Sequence, residues 1–179
     1  MLKRVADACG VRQKVKVLLV DDHVAMLSLI PETLERSVPG RYEVQCLSTV
    51  EEALTALTEH TYDVCLMDYD LKEVQTGIDV IKACYSLGVE LPFIVITGLP
   101  QEELIIKQAL EQPNCMGFLS KDSLKLLDEM IQFAVRNFAL LCIERRKGTG
   151  TEVQLCWQGV ARAGVLHCSF VERHRMEMV

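Results

Sequence analysis

Val64-Cys65-Leu66-Met67-Asp68-Tyr69-Asp70 is the stretch whose reading decides the fold. Consecutive apolar side chains without polar alternation suit a strand covered on both faces, as in a parallel sheet under helices. The run then stops abruptly at carboxylates. Taken back to its start, it predicts a strand over Tyr62 to Met67. Outward from it the same form recurs: Val15 to Val20 ends in Asp21-Asp22, Pro92 to Thr97 in Gly98, and Met116 to Leu119 in Ser120-Lys121. Tyr42 to Leu47 alternates apolar with polar residues and predicts an edge strand instead.

Segments of helical period separate these runs. Thr49 with Glu52 matches a capping box ahead of Leu54 and Leu57. Ile78, Ile81 and Tyr85 form one amphipathic stripe, and Leu104, Ile105 and Ala109 form another. Pro31 follows the helical segment from His23 to Ile30, where a proline removes a backbone donor and is expected to kink or restart the helix. The last helix is expected to begin near Asp122 or Ser123 and run to Lys147, with Gly148 stopping it. Either it overhangs the sandwich, or it serves as a dimer or linker helix. Single helices between strands imply right-handed crossovers. The expected fold is therefore α/β: a five-stranded parallel sheet in a doubly wound three-layer α/β/α sandwich, with a long C-terminal helix. Beyond Gly148-Thr149-Gly150, Glu152 to Trp157 and Val165 to Val171 are two strand candidates, and residues 148–179 remain an unassigned tail.

Bulk chemistry narrows the function. The chain of 179 residues carries 25 acidic and 19 basic side chains, a formal charge of −6, which gives no overall field for nucleic acid or anionic lipid. Nothing after Lys147 reads as a helix-turn-helix with a basic recognition face, so direct DNA binding is not expected. The 8 cysteines include no Cys-x-x-Cys pair and sit mostly among apolar neighbours, which suits reduced, buried thiols. Residues 1–14 lack an apolar leader core, and no segment offers about 18 uninterrupted apolar residues. A soluble, cytoplasmic protein without membrane partners is the expectation.

In an open parallel sheet, ligands bind beyond the carboxyl ends of the strands. Asp21, Asp22, Asp68, Asp70, Thr97 and Lys121 all fall there. Several carboxylates held together repel unless a cation joins them, and hard oxygen ligands in an incomplete shell suit Mg²⁺, which shares sites with phosphate oxygens. A lysine and a small hydroxyl complete the inventory for phosphoryl transfer. Taken singly, each residue has a plainer reading. Asp21-Asp22 would serve as a helix cap, Lys121 as a solvated charge, Thr97-Gly98 as a turn and Phe118 as core. His23 and His60 read as helix-terminal residues. Only their joint placement points to a site.

With those residues in place, the chain resembles the receiver domain of two-component response regulators, with its flavodoxin-like fold. The resemblance rests on Asp21-Asp22, Asp68, Thr97, Lys121 and the aromatic Phe118 three positions before that lysine, and covers residues 14–136. Residues 137–147 would extend the last helix. One departure is Asp122 where the family often has proline. The resemblance implies that Asp68 is phosphorylated, with Thr97 and Lys121 assisting, and that Thr97 and Phe118 form the switch. It implies Mg²⁺ on Asp22 and Asp68 directly, on the Asp70 main-chain carbonyl, and on Asp21 through water. The implied donor is a histidine kinase or histidine phosphotransfer protein, and the implied output is contact with a downstream protein or effector domain. Self-phosphorylation from small donors and self-dephosphorylation are expected, but not enzymatic turnover. A homodimer through the last helices is left open. Two alternatives stand: a haloacid-dehalogenase-type phosphatase using Asp68 as nucleophile and Asp70 as general acid, and a receiver-like scaffold that is never phosphorylated. The position of Asp21-Asp22 ahead of Asp68 disfavours the phosphatase.

Overall fold

Strand β1 (Val15–Val20) shows why the sheet must be covered twice: Val17 and Leu19 face one layer, Leu18 and Val20 the other, and all four are fully buried. A computed structural model describes residues 14–72, 74–99 and 102–147, with short strands at 153–154, 157–159 and 171–172. After β1 come α1 (Val24–Ser37), β2 (Tyr42–Leu47), α2 (Val50–Glu59), β3 (Val64–Asp68), α3 (Gly77–Ser86), β4 (Phe93–Thr97), α4 (Glu102–Leu110) and β5 (Cys115–Ser120). A 3₁₀ segment over Lys121–Leu126 leads into α5 (Leu127–Lys147), followed by β6 (Val153–Gln154), β7 (Trp157–Gly159) and β8 (Val171–Glu172).

The five expected strands pair in parallel in the order β2-β1-β3-β4-β5, with β2 at an edge. Helices α1 and α5 pack on one face and α2, α3 and α4 on the other. The sheet also has a sixth strand, because β7 pairs in parallel with β5. Strands β6 and β8 form a separate antiparallel pair. The tail candidates are thus met only in part: Val153–Gln154 and Val171 fall inside them, whereas Trp157 belongs to the strand that joins the main sheet.

Several expectations shift by a residue or more. Strand β3 begins at Val64 rather than Tyr62, where the Asp63 amide already bonds the Lys16 carbonyl at 2.8 Å. In α3 the stripe of Ile78 and Ile81 continues through buried Cys84, leaving Tyr85 48% exposed. In α4, Ile105 and Ala109 are buried and Leu104 faces outward. The α5 start moves to Leu127 because Ser123, at φ −115° and ψ 25°, is not helical. Helix α5 spans 21 residues, about 31 Å at 1.5 Å per residue. Of the expected capping box at α2 one arm is formed, Thr49 Oγ1 accepting from the Glu52 amide at 3.3 Å, while Glu52 Oε2 accepts from the Thr49 hydroxyl at 3.0 Å.

Pro31 does not restart the helix, because α1 runs through it. In a regular helix the amide of residue 31 would bond the carbonyl of Leu27. Proline has no such hydrogen, and the Cys46 thiol of β2 donates to that Leu27 oxygen instead, at 3.4 Å. A partner from the neighbouring strand thus satisfies an acceptor that the helix cannot. Cys65, Cys84 and Cys115 are buried, and Cys46 and Cys142 are half-buried. Burial pushes the Cys84 thiol up to about 11 and Cys65 well above its ordinary range, so neither is a ready thiolate. Cys9, Cys156 and Cys168 lie outside the described residues.

Candidate functional site

Strand register brings the site together. Val20 stands opposite Met67, so Asp21, one step past β1, sits beside Asp68 at the end of β3. Thr97 ends β4 opposite Ser120, and Lys121 follows directly. The Asp21 amide extends the ladder to the Leu47 carbonyl at 3.1 Å. Asp21 Oδ1 accepts from the His23 amide at 2.9 Å, which turns the chain into α1. The plainer reading of Asp21 as a helix-start residue is therefore half right: one oxygen serves the turn and the other faces the cluster.

Asp21, Asp68 and Thr97 are buried, and Asp22 is half-buried. One carboxylate oxygen from each of Asp21, Asp22 and Asp68 lies within 4.8 Å of the others. Lys121 Nζ reaches Asp21 Oδ2 at 2.8 Å and Asp68 Oδ1 at 3.1 Å. Among the described residues Asp21 Oδ2 has no aligned hydrogen-bond partner, and the Lys121 ammonium at 2.8 Å balances its charge. Burial raises the Asp68 carboxyl to about 6, with the Asp21 charge adding to the rise and Lys121 opposing it. Burial pulls the Lys121 ammonium down, but its contacts with Asp21 and Asp68 outweigh that and raise it. The donor set fits a hard divalent cation: three carboxylates, one of them open to solvent, and a buried oxygen short of a hydrogen-bond partner.

The remaining predicted residues are placed less uniformly. Asp70 has an exposed side chain whose Oδ1 accepts from the Lys72 amide at 3.4 Å, and its carboxylate is not among the clustered three. Thr97 Oγ1 accepts from the Leu99 amide at 3.1 Å. Phe118 is 1% exposed and packs in the layer that holds Ile105 and Ala109 of α4. His23 is the N-cap residue of α1 and His60 the C-cap residue of α2, both exposed, as their helix-terminal reading expects.

Two features escaped the sequence reading. A Cβ on Gly77 would lie 2.0 Å from the Asp68 carbonyl oxygen and 2.8 Å from Met67 Cγ, so α3 starts directly on the backbone of Asp68. The sequence signal was Thr76 with Asp79 three positions on, a capping box that the structure forms in both directions. The second is Lys72, whose Nζ lies 3.1 Å from Asp22 Oδ2. That contact depends on the path of a loop, which residue type alone does not signal.

Comparison with known proteins agrees with this geometry. The response regulator receiver domain model matches residues 17–132, well over half the chain. Among curated proteins, the sensory/regulatory protein RpfC of Xanthomonas campestris pv. campestris is 27% identical over 160 residues, 86% of this chain and 21% of that protein. A protein-glutamate methylesterase/protein-glutamine glutaminase of Clostridium acetobutylicum is 31% identical over 93 residues, 50% of this chain and 26% of that protein. The chain thus spans about a fifth to a quarter of these relatives' lengths. A CheY-like receiver domain structure from Methanospirillum hungatei superposes with a TM-score of 0.61 at 22% identity, covering 72% of this chain and 98% of that one. A receiver domain from Clostridium thermocellum gives 0.61 at 24% identity, with 71% and 98% covered. A match over this span leaves one assignment: the chain belongs to the response regulator receiver domain family.

Proposed function

We propose that Asp68 accepts a phosphoryl group from the phosphohistidine of a histidine kinase or phosphotransfer protein, and that the acyl phosphate changes which partner the domain binds. The observation that carries this reading is the buried Asp68 carboxylate, paired with Lys121 at 3.1 Å and set against two further carboxylates. With its carboxyl raised only to about 6, Asp68 is largely ionised at neutral pH and keeps its nucleophilic lone pairs.

In the transfer, an Asp68 oxygen attacks phosphorus in line with the departing histidine. The P–N bond breaks, its electron pair returns to the imidazole nitrogen, and that nitrogen takes a proton. Mg²⁺ held by Asp22, Asp68 and the Asp70 main-chain carbonyl, with Asp21 acting through water, would supply positive charge to the phosphoryl oxygens. Lys121 offsets charge on the opposite side, and the Thr97 hydroxyl donates to a phosphoryl oxygen. As Thr97 is drawn in, Phe118 responds through the layer it shares with α4, a population shift in a bistable element. Phe118 has no hydroxyl with which to anchor an outward state.

Among the alternatives, the phosphatase needs its second carboxylate poised as a general acid beside the first. The exposed Asp70 side chain, engaged with its own loop at Lys72, gives that role little support. The output is proposed to be contact with a downstream protein or an effector domain, since the matched segments make up only 21% and 26% of the two curated relatives. Incubation with acetyl phosphate and MgCl₂ followed by intact mass spectrometry tests the reading. A single labile phosphate adduct, absent in Asp68→Asn, is expected. Rapid multiple turnover of phosphate monoesters would indicate the phosphatase instead, and absence of both an adduct and Mg²⁺ binding would indicate an inert scaffold.

A further inference from the structure

Lys72 sits in the loop between β3 and α3, and among the described residues it is the only non-glycine with a positive φ, +50°. That conformation is unfavourable for an L-residue, so the loop holds it there. The Asp70 carboxylate accepts the Lys72 amide at 3.4 Å and closes a short turn. The turn directs the ammonium back toward the strand ends, where Nζ lies 3.1 Å from Asp22 Oδ2. Asp22 is the open side of the cluster: its side chain is 18% exposed, against 1% for Asp21 and 4% for Asp68.

We propose that Lys72 is a resident cation of the carboxylate cluster, competing with the divalent cation for Asp22 and setting the concentration at which the site fills. This rests on the reading of Asp22 as a cation ligand. Three carboxylates face two ammonium groups, Lys121 from the buried side and Lys72 from the solvent side. A dication entering with both lysines in place would leave the cluster with excess positive charge. With Lys72 released, the formal charges balance. Lys121, 20% exposed and shared between two buried carboxylates, is tightly held; Lys72, 63% exposed and holding one half-buried carboxylate, is the lysine that can leave. Because an exposed pair of this kind is weak, the competition amounts to a few-fold effect and not a block.

The test is isothermal titration of MgCl₂ into the full chain at fixed ionic strength, for the wild type, Lys72→Gln, Lys72→Arg and Lys82→Gln, with thermal melts to confirm that each is folded. Lys72→Gln should bind Mg²⁺ about 2- to 5-fold more tightly. Lys72→Arg should stay close to the wild type. Lys82, which pairs with Asp79 at 3.2 Å away from the cluster, should leave the affinity unchanged. Equal or weaker Mg²⁺ binding by Lys72→Gln, or the same tightening in Lys82→Gln, overturns the proposal while leaving the cation site itself standing. No Mg²⁺ binding by any of the four proteins removes the cation site and the proposal together.

Discussion

Lys121 Nζ lies 2.8 Å from Asp21 Oδ2, nearer than its 3.1 Å to Asp68 Oδ1. The lysine therefore clamps two strand ends across the sheet as well as standing beside the proposed acceptor. Breaking a buried ion pair by removing one partner costs roughly 3–5 kcal/mol. Because Lys121 is 20% exposed, the expected cost of Lys121→Met without divalent cation is nearer ~2–3 kcal/mol. Urea denaturation should show this loss, with a large part recovered in saturating MgCl₂. A midpoint unchanged from the wild type contradicts the clamp.

The pH dependence of the cation-free protein follows from Asp68. Burial first, then the Asp21 charge, raises its carboxyl from 3.8 to about 6. A carboxyl with a higher pKa folded than unfolded favours the fold fully below about pH 3.8, and that contribution is lost as pH rises through about 6. Above that range the ionised group opposes folding. Asp68→Asn should therefore raise stability by about 1–3 kcal/mol near pH 7.5 in EDTA, with the gain shrinking toward about pH 5. Melts at both pH values decide it, and a gain independent of pH, or a loss near pH 7.5, counts against the assignment.

Gly77 and Gly98 offer a matched comparison. A Cβ at Gly77 would meet the Asp68 carbonyl oxygen at 2.0 Å, whereas one at Gly98 would meet Lys121 Cδ at 3.6 Å, an ordinary contact with a flexible side chain. Gly77→Ala should cost about 2–3 kcal/mol by overpacking and slow adduct formation at Asp68, because the backbone that carries the carboxylate must shift. Gly98→Ala should cost less than about 1 kcal/mol. Equal effects of the two substitutions on chemical denaturation would show that the start of α3 does not brace Asp68.

The thiol of Cys46 and the proline in α1 are coupled through the Leu27 carbonyl. Pro31→Ala restores the helical donor and should stabilise by about 1–2 kcal/mol. Cys46→Ala should cost about 1 kcal/mol in the natural background and less once residue 31 can donate. A double-mutant cycle measures this difference, and strict additivity means that the thiol does not replace the missing amide.

Strand positions were largely legible because a parallel sheet covered on both faces leaves unbroken apolar runs. The ranges of β1 and β2 are those read from the sequence, Val15–Val20 and Tyr42–Leu47. The clustering of Asp21, Asp22 and Asp68 was legible for a related reason: each follows such a run, and parallel strands put their carboxyl ends on one edge. Pairing of β7 with β5 was not, because Trp157–Gly159 is too short and too polar at Gln158 to show a period. The donor lost at Pro31 was legible, but the continuity of α1 was not, because here a thiol from a neighbouring strand serves the carbonyl that proline leaves without a donor. Lys72 was missed because its contact with Asp22 is made by a loop of the folded chain rather than by spacing in the sequence.

The central claim is that the phosphoryl group lands on Asp68. The most direct measurement reduces the acetyl phosphate-treated protein with borohydride, which converts an aspartyl phosphate to homoserine, and maps the product by peptide mass spectrometry. Homoserine at residue 68 alone, dependent on MgCl₂ and absent from untreated protein, is the predicted result. Homoserine at another carboxylate, or none at all in protein that binds Mg²⁺, would contradict it.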